Sequence, residues 1–147
     1  MPKNRRSGTP SAASSTSKPP ETLVFFVDES LDNLVVVEAL RNAGASVRRL
    51  TEEFDRGTPD QIWLQHAGQH DWIVLTRDKK IRYRQLELGA LQAAKVRSFV
   101  FTGGNVTMKE TAEILARALP KIDRICISEG GPFIYHIGSA AKPIRMA

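Results

Sequence analysis

The chain has 147 residues, which suits a single domain, and none of its apolar runs approaches the ~20 residues that a membrane-spanning helix needs. The net charge of +5 is carried by the two ends: residues 1–21 hold four basic side chains against one acid, and Lys142 and Arg145 lie near the C-terminus. Because the residues between the two ends are close to neutral overall, the net charge of the chain does not indicate a nucleic-acid partner. The single cysteine, Cys126, rules out an internal disulfide, and the basic N-terminal stretch lacks the apolar segment of a secretory signal, so a cytoplasmic protein is expected.

Composition divides the chain into three parts. Residues 1–21 are mostly Ser, Pro, Thr, Ala and basic residues without a periodic apolar face, which predicts a disordered basic tail. Residues 22–138 alternate between strand-like and helix-like apolar patterns and are predicted to form the folded domain. Residues 139–147 have no such pattern, and we expect a flexible C-terminal tail.

The first apolar run, residues 23–27, ends directly in two adjacent carboxylates, Asp28 and Glu29. Because the run is short, β-branched and aromatic, it predicts a strand that is buried on both faces. The two acids then lie where this strand leaves the sheet, which in open α/β sheets is the edge where sites are built. The alternative is that they cap the following helix.

Helix and strand patterns alternate along the rest of the domain. A helix over residues 30–43 could be capped by Ser30 or Asp32, and a helix that begins at Pro59 could be capped by Thr58. Thr107 and Glu110 form a capping-box sequence at the start of a later helix. The other predictions are strands over 45–50, 71–76, 96–101 and 122–128, a helix over 85–94, an end of the Thr107 helix before Pro120, and a segment 133–137 that pairs back as a hairpin.

This alternation predicts a three-layer α/β/α fold with a mostly parallel central sheet of four to five strands and a C-terminal hairpin. The carboxyl ends of parallel strands open on one edge of such a sheet. Polar oxygen-bearing side chains follow successive strands at that edge. They are Asp28 and Glu29 after the first strand, Asp60 after the second, Asp78 after the third and Asn105 after the fourth.

Carboxylates that gather in one place repel each other unless they are protonated or bridged by a cation. Hard oxygen ligands suit Mg²⁺ or Mn²⁺, which activate water and polarise phosphoryl oxygens. Each side chain also has a structural explanation, since Asp60 suits a helix start, Asp78 a turn and Asn105 a left-handed residue beside two glycines. Three other acids compete with Asp60 for the second position: Glu52, Glu53 and Asp55.

A strongly basic segment surrounds Asp78. Its cations could contact a phosphate backbone, and Tyr83 could stack on a base, which is the combination that a phosphodiester substrate needs beside an acidic metal site. The alternative is a solvated start of the following helix. The candidate RNA-binding residues are Arg77, Lys79, Lys80, Arg82 and Arg84.

Three motifs resemble the PIN-like domains, in particular the compact VapC-type toxins: Phe-Val-Asp-Glu-Ser at 26–30, Thr-Pro-Asp at 58–60 and Val-Leu-Thr-Arg-Asp-Lys-Lys at 74–80. The resemblance covers residues 23–137. It implies a ribonuclease that depends on Mg²⁺ or Mn²⁺, with Asp28, Asp60 and Asp78 as metal ligands, Glu29 as a helper and Asn105 as a less strict polar ligand. Many compact relatives have a further acid where this chain has Lys80.

The resulting hypothesis is a metal-dependent endoribonuclease, the toxin of a type II toxin–antitoxin pair. It implies an RNA substrate and an antitoxin protein as partners, no membrane association, and leaves a homodimer open. Two alternatives have different chemistry. One is a phosphoacceptor receiver-like domain, in which Asp78 is phosphorylated and Thr102 and Lys142 assist. The other is a catalytically silent RNA-binding module that acts through its basic segment.

Overall fold

A computed structural model describes residues 23–81 and 83–146. The predicted N-terminal tail and Arg82 lie outside the described residues. The elements in chain order are β1 (Val24–Val27), α1 (Leu34–Asn42), β2 (Ser46–Arg49), α2 (Leu50–Glu53), α3 (Asp60–Gln69), β3 (Ile73–Thr76), α4 (Gln85–Ala93), β4 (Arg97–Phe101), α5 (Met108–Ser128), β5 (Phe133–Ile137) and β6 (Pro143–Arg145).

The described strands form one sheet in the order β2-β1-β3-β4-β5-β6. The first five are parallel, and only β6 runs antiparallel to its neighbour β5. Helices α1 and α5 pack together on one face of the sheet, and α3 and α4 pack together on the other. The predicted three-layer α/β fold with a mostly parallel sheet is confirmed, with six strands instead of four to five.

Strand β1 lies inside the sheet, between β2 and β3, and is buried on both faces, as its continuous apolar run predicts. Phe25 and Val27 join the core under α1 and α5, whereas Phe26 joins the core under α3 and α4. The ring of Phe26 lies 5.5 Å from that of Trp63 in α3 and 5.6 Å from that of Trp72 before β3. This double burial holds the end of β1, and therefore Asp28, in a fixed position.

The predicted strand over residues 122–128 is wrong, because α5 continues through Pro120 to Ser128. Ala118, Ile122 and Cys126 are buried and recur at a spacing of four, so they continue the stripe that packs against the core shared with α1. Burial of this stripe outweighs the cost that Pro120 imposes inside a helix.

The C-terminal hairpin exists, but its strands differ from the predicted ones. Strand β5 pairs in parallel with β4, and its antiparallel partner is β6, with Tyr135 opposite Arg145. Strand β6 lies inside the segment that the sequence predicts as a flexible tail. A second contact holds this segment, since Arg145 forms an ion pair with Glu129 at the end of α5.

Two predicted helix caps are also wrong. Asn33, not Ser30 or Asp32, caps α1, and its side chain accepts a hydrogen bond of 2.8 Å from the amide of Val35. Thr58 does not cap α3, because its hydroxyl donates to the carbonyl of Asp55 and Pro59 occupies the cap position. The predicted capping box between Thr107 and Glu110 is confirmed.

Asp32 joins the loop after β1 to the start of α2. Its carboxylate accepts hydrogen bonds from Arg49 Nε at 2.6 Å, from the Thr51 amide at 3.0 Å and from the Thr51 hydroxyl at 2.6 Å. Burial by itself would raise the pKa of Asp32, but these bonds hold it below its ordinary value of 3.8. The short helix α2, which the sequence does not predict, is thereby tied to the end of β1.

We expect Asp32→Asn to lower the free energy of unfolding by about 1–3 kcal/mol, because three hydrogen-bond donors lose a charged acceptor. Since the folded-state pKa lies below 3.8, this stabilisation is present above pH 3.8 and is lost as the pH falls through the folded-state pKa. Urea unfolding of both proteins should therefore show a difference at pH 7 that shrinks in acid. Asp55→Asn, at an exposed position, is the matched control, and an equal loss there would contradict the assignment.

Candidate active site

Asp28 lies at the carboxyl end of β1, where its amide still donates to the carbonyl of Leu75 in β3. The residue is only 7% exposed. One carboxylate oxygen accepts from the amide and the hydroxyl of Ser30, at 3.1 and 2.5 Å, and the other accepts from the hydroxyl of Thr76 at 2.5 Å. Three donors do not use all the acceptor positions of a carboxylate, so Asp28 can still take a further ligand.

The charge of Asp28 is poorly compensated. The pKa of Asp28 is raised from 3.8 to about 6. Burial is the largest cause of this net shift, the hydrogen bonds from Ser30 and Thr76 oppose it, and the neighbouring carboxylate of Asp60 adds a smaller upward contribution. The three bonded donors are neutral. A buried carboxylate beside a second carboxylate is an arrangement that a bound cation would stabilise.

Asp60, the first residue of α3, lines the same small cavity as Asp28. Its carboxylate accepts a hydrogen bond of 3.1 Å from the indole N–H of Trp63, which is 2% exposed and packs on Phe26. Burial raises the pKa of Asp60, and so do the nearby charges of Glu87 and Asp78. Asp60 therefore lies between Asp28 and the acids of the segment from β3 to α4.

Asp78 is held by its own segment. Its amide donates to the Thr76 hydroxyl at 2.9 Å, one carboxylate oxygen accepts from the Lys80 amide at 3.1 Å, and the other forms an ion pair with Arg84. Thr76 thus bonds to both Asp28 and Asp78, a role that the sequence does not predict. A buried hydroxyl at the end of an otherwise apolar strand is the signal that could have found it.

The cavity between β1, α2 and α3 has a volume of about 200 Å³. Asp28, Glu29 and Asp60 supply its acids, so the structure brings these three of the five candidate residues together. The described residues that line it do not include Asp78 or Asn105; Asn105 is exposed in the loop after β4. The full lining is Asp28, Glu29, Leu50, Thr51, Phe54, Arg56, Gly57, Thr58, Asp60 and Trp63.

The acids that compete with Asp60 in the sequence lie elsewhere. Glu52 is 4.0 Å from the guanidinium of Arg49, and Glu53 is 3.3 Å from that of Arg48, so both carboxylates are turned to cations on β2. Asp55 is exposed and is not among the described residues around the cavity. The geometry therefore favours Asp60 as the acid of the second segment.

The basic candidates separate into two groups. The guanidinium of Arg77 lies over the ring of Phe101, 5.6 Å from its centroid, and donates to the carbonyl of Gly104 at 3.3 Å, while Arg84 is paired with Asp78. Lys79 and Lys80 are exposed on the surface of the same segment. Arg82 lies outside the described residues.

Carboxylate oxygens, which Asp28 and Asp60 supply, are the type of ligand that a hard divalent cation prefers. Among residues 23–81 and 83–146, no three His, Cys, Asp or Glu side chains are grouped so as to hold a metal ion by themselves. Mg²⁺, however, is usually held by one or two carboxylates, with waters and substrate phosphate oxygens filling the other positions. Asp28 and Asp60 provide such a pair.

The receiver-like alternative has no support in the arrangement of the sheet. It needs Thr102 and Lys142 beside Asp78, but the Thr102 hydroxyl is hydrogen-bonded to His136 at 3.2 Å. Lys142 directly precedes β6, which is three strands away from β3 in the described sheet, or roughly 14 Å at the usual strand spacing.

A family model described as a PIN-like domain matches residues 23–103, just over half of the chain. The matched region runs from β1 through β4 and contains Asp28, Asp60 and Asp78. The chain therefore belongs to the PIN-like domain family, as the sequence motifs predict, and through it to a superfamily of the nuclease type. The comparisons with curated proteins and with solved structures found no match.

None of the described helices is both long and apolar enough to cross a membrane.

Proposed function

We propose that this protein is an endoribonuclease that uses Mg²⁺ or Mn²⁺ to hydrolyse RNA phosphodiester bonds. The observation that carries the proposal is the pair of partly or fully buried carboxylates, Asp28 and Asp60, that meet in one cavity at the carboxyl edge of the sheet. Membership in the PIN-like family supports the nuclease chemistry.

In the proposed reaction a water attacks the phosphorus, the bond to the 3′ oxygen breaks, and the products carry a 3′-hydroxyl and a 5′-phosphate. Asp28 and Asp60 would hold the cation, which supplies charge stabilisation at the phosphoryl oxygens and activation of the water. The hydrogen bonds from Ser30 and Thr76 keep the Asp28 carboxylate in one orientation before substrate arrives.

The other candidates have more distant roles in this proposal. Asp78 keeps Arg84 close to the site, and the family resemblance makes it a third ligand, a role that stays a prediction. Glu29 lies at the exposed rim of the cavity, and Asn105 as a polar ligand also stays a prediction. Lys79 and Lys80 are the cations best placed to contact the RNA backbone, since both are exposed on the segment that carries Asp78.

The narrower role as a toxin with an antitoxin partner rests on the resemblance to VapC-type proteins alone. It is supported if induced expression of the chain arrests bacterial growth and the arrest needs Asp28. Growth that continues while the purified protein cleaves RNA would remove the toxin role and leave the ribonuclease.

The proposed activity is tested with end-labelled RNA and DNA strands of the same sequence, incubated with the purified protein in Mg²⁺, Mn²⁺ or EDTA. We expect internal cleavage of RNA in either metal and none in EDTA. RNA that is retained in EDTA but never cut, with retention independent of Asp28, would instead identify a silent binding module. Equal cleavage of both strands would make the protein a general nuclease.

A further inference from the structure

The cavity beside Asp28 and Asp60 has features that a metal site alone does not require. Leu50, Phe54 and Trp63 give it an apolar wall, in which Trp63 is buried. Phe54 is only partly buried and is held edge-on by Phe26 and His66, with ring centroids 6.0 and 5.1 Å apart. Two aromatic side chains in the lining of a space of about 200 Å³, one of them fixed by its neighbours, suit a flat ring smaller than most drug-sized ligands.

The polar side chains around this wall present acceptors. The Thr51 hydroxyl donates its hydrogen to Asp32 at 2.6 Å, and the Thr58 hydroxyl donates its hydrogen to the Asp55 carbonyl at 2.7 Å. The indole N–H of Trp63 is committed to Asp60. Both hydroxyls therefore offer only lone pairs to an occupant, as the carboxylate of Glu29 does.

Arg56 is the one lining side chain among the described residues that offers donors, and it is exposed at the mouth. An occupant must thus bring its own N–H or O–H groups toward the acid side and an acceptor toward Arg56. A pocket that lines up acceptors rejects ligands that bring only acceptors, because its polar groups would lose water without gaining a partner.

Among the four RNA bases, guanine alone presents two adjacent donors, N1–H and the N2 amino group, next to a carbonyl acceptor at O6. A carboxylate can accept both donors in a bidentate pair. Adenine and cytosine place a ring acceptor next to their amino group, and uracil has one N–H between two carbonyls.

We propose that this cavity is a guanine-binding subsite for the RNA strand, in which Glu29 accepts from N1–H and N2–H and Arg56 donates to O6. The proposal rests on the proposed ribonuclease function in one respect, the position of the scissile phosphate. Because Asp28 and Asp60 line the same cavity, they would place that phosphate next to the bound guanosine. It makes Glu29 a residue that determines base specificity instead of a helper to the metal ligands.

The test measures binding separately from cleavage. Fluorescently labelled oligouridine strands that carry one central guanosine, inosine or adenosine are titrated with the full-length protein in Ca²⁺, and strand integrity is checked afterwards. Inosine differs from guanosine only by the missing N2 amino group. We expect the guanosine strand to bind about tenfold more tightly than the inosine and adenosine strands, the size expected for one good bidentate contact.

The variant Glu29→Gln should bind the guanosine and inosine strands equally, because the amide can no longer accept from both donors. The matched control is Glu38→Gln, an exposed position on α1, which lies on the opposite face of the sheet from α3. It should keep the tenfold preference. Loss of the preference in both variants, or its persistence in Glu29→Gln, overturns the assignment.

Equal binding of all three strands by the unaltered protein, or no binding of any, also overturns the proposal. Competition with free GMP shows whether the site binds an RNA strand or a free nucleotide. GMP should displace the guanosine strand less effectively than the trinucleotide UpGpU does, because UpGpU has neighbouring phosphates that the exposed lysines can contact. More effective displacement by GMP would sink the RNA form of the proposal. A guanosine preference without cleavage in Mg²⁺ would leave this subsite standing while the ribonuclease function fails.

Discussion

Asp28→Asn is expected to lower metal-dependent RNA cleavage by at least about a hundredfold while the protein remains folded. Loss of residues that merely orient a metal ligand costs 10–100-fold, and loss of a ligand itself costs at least as much. The asparagine keeps the shape of the side chain, and the hydroxyls of Ser30 and Thr76 can rotate to satisfy it. Initial rates of cleavage in Mg²⁺ measure the effect.

The same substitution should leave the metal-free protein at least as stable as before at neutral pH. With the pKa of Asp28 raised from 3.8 to about 6, the unfolded chain releases this proton at lower pH than the folded chain does. Ionisation of Asp28 therefore lowers the free energy of unfolding. This loss is absent below pH 3.8, grows as the pH rises to about 6 and stays constant above. Removing the charge should raise the free energy of unfolding by up to about 3 kcal/mol at pH 7. Urea unfolding in EDTA at pH 4 and pH 7 measures this gain.

Asp71→Asn is the matched control for both measurements. Asp71 is exposed and precedes β3, so it lies at the opposite edge of the parallel sheet from Asp28. Cleavage should be unchanged in this control. Undiminished cleavage by Asp28→Asn would falsify the assignment of Asp28 as the central ligand, whereas an unfolded variant would contradict the expected gain in stability.

Gly68→Ala and Gly89→Ala are expected to change stability in opposite directions, although both glycines lie inside helices that pack together. A Cβ on Gly68 in α3 would lie 2.4 Å from both the Cβ and the carbonyl oxygen of Ala94, so the backbone after α4 would have to move. Overpacking of this kind costs about 1–3 kcal/mol, or more where backbone is displaced. A Cβ on Gly89 in α4 meets no atom within 4 Å among the described residues.

Gly89→Ala should therefore stabilise the protein by roughly 0.5–1 kcal/mol, the usual difference between glycine and alanine inside a helix. Thermal and urea unfolding of the two variants provide the comparison. Because α3 begins at Asp60, Gly68→Ala should also slow cleavage, whereas Gly89→Ala should not. If Gly68→Ala were as stable as the unaltered protein, α3 and α4 would not pack as closely as described.

Much of the fold could be predicted because it depends on local patterns. The run before Asp28 has no polar position, which only a strand buried on both faces tolerates, and β1 is such a strand. Where tertiary contacts outweigh local signals, prediction failed. Pro120 indicates a helix end, yet α5 continues because its buried stripe runs on to Cys126.

The site divides in the same way. The sequence by itself determined that Asp28 follows a buried strand and that Asp60 starts a helix, since both follow from apolar periodicity and turn chemistry. Only the tertiary structure decided which acids meet. Asp60 reaches the cavity because the buried indole of Trp63 orients it, while Glu52 and Glu53 are drawn to arginines on β2 and Asp78 to Arg84. Partners of this kind are set by three-dimensional proximity, which the order of residues along a strand or helix does not encode.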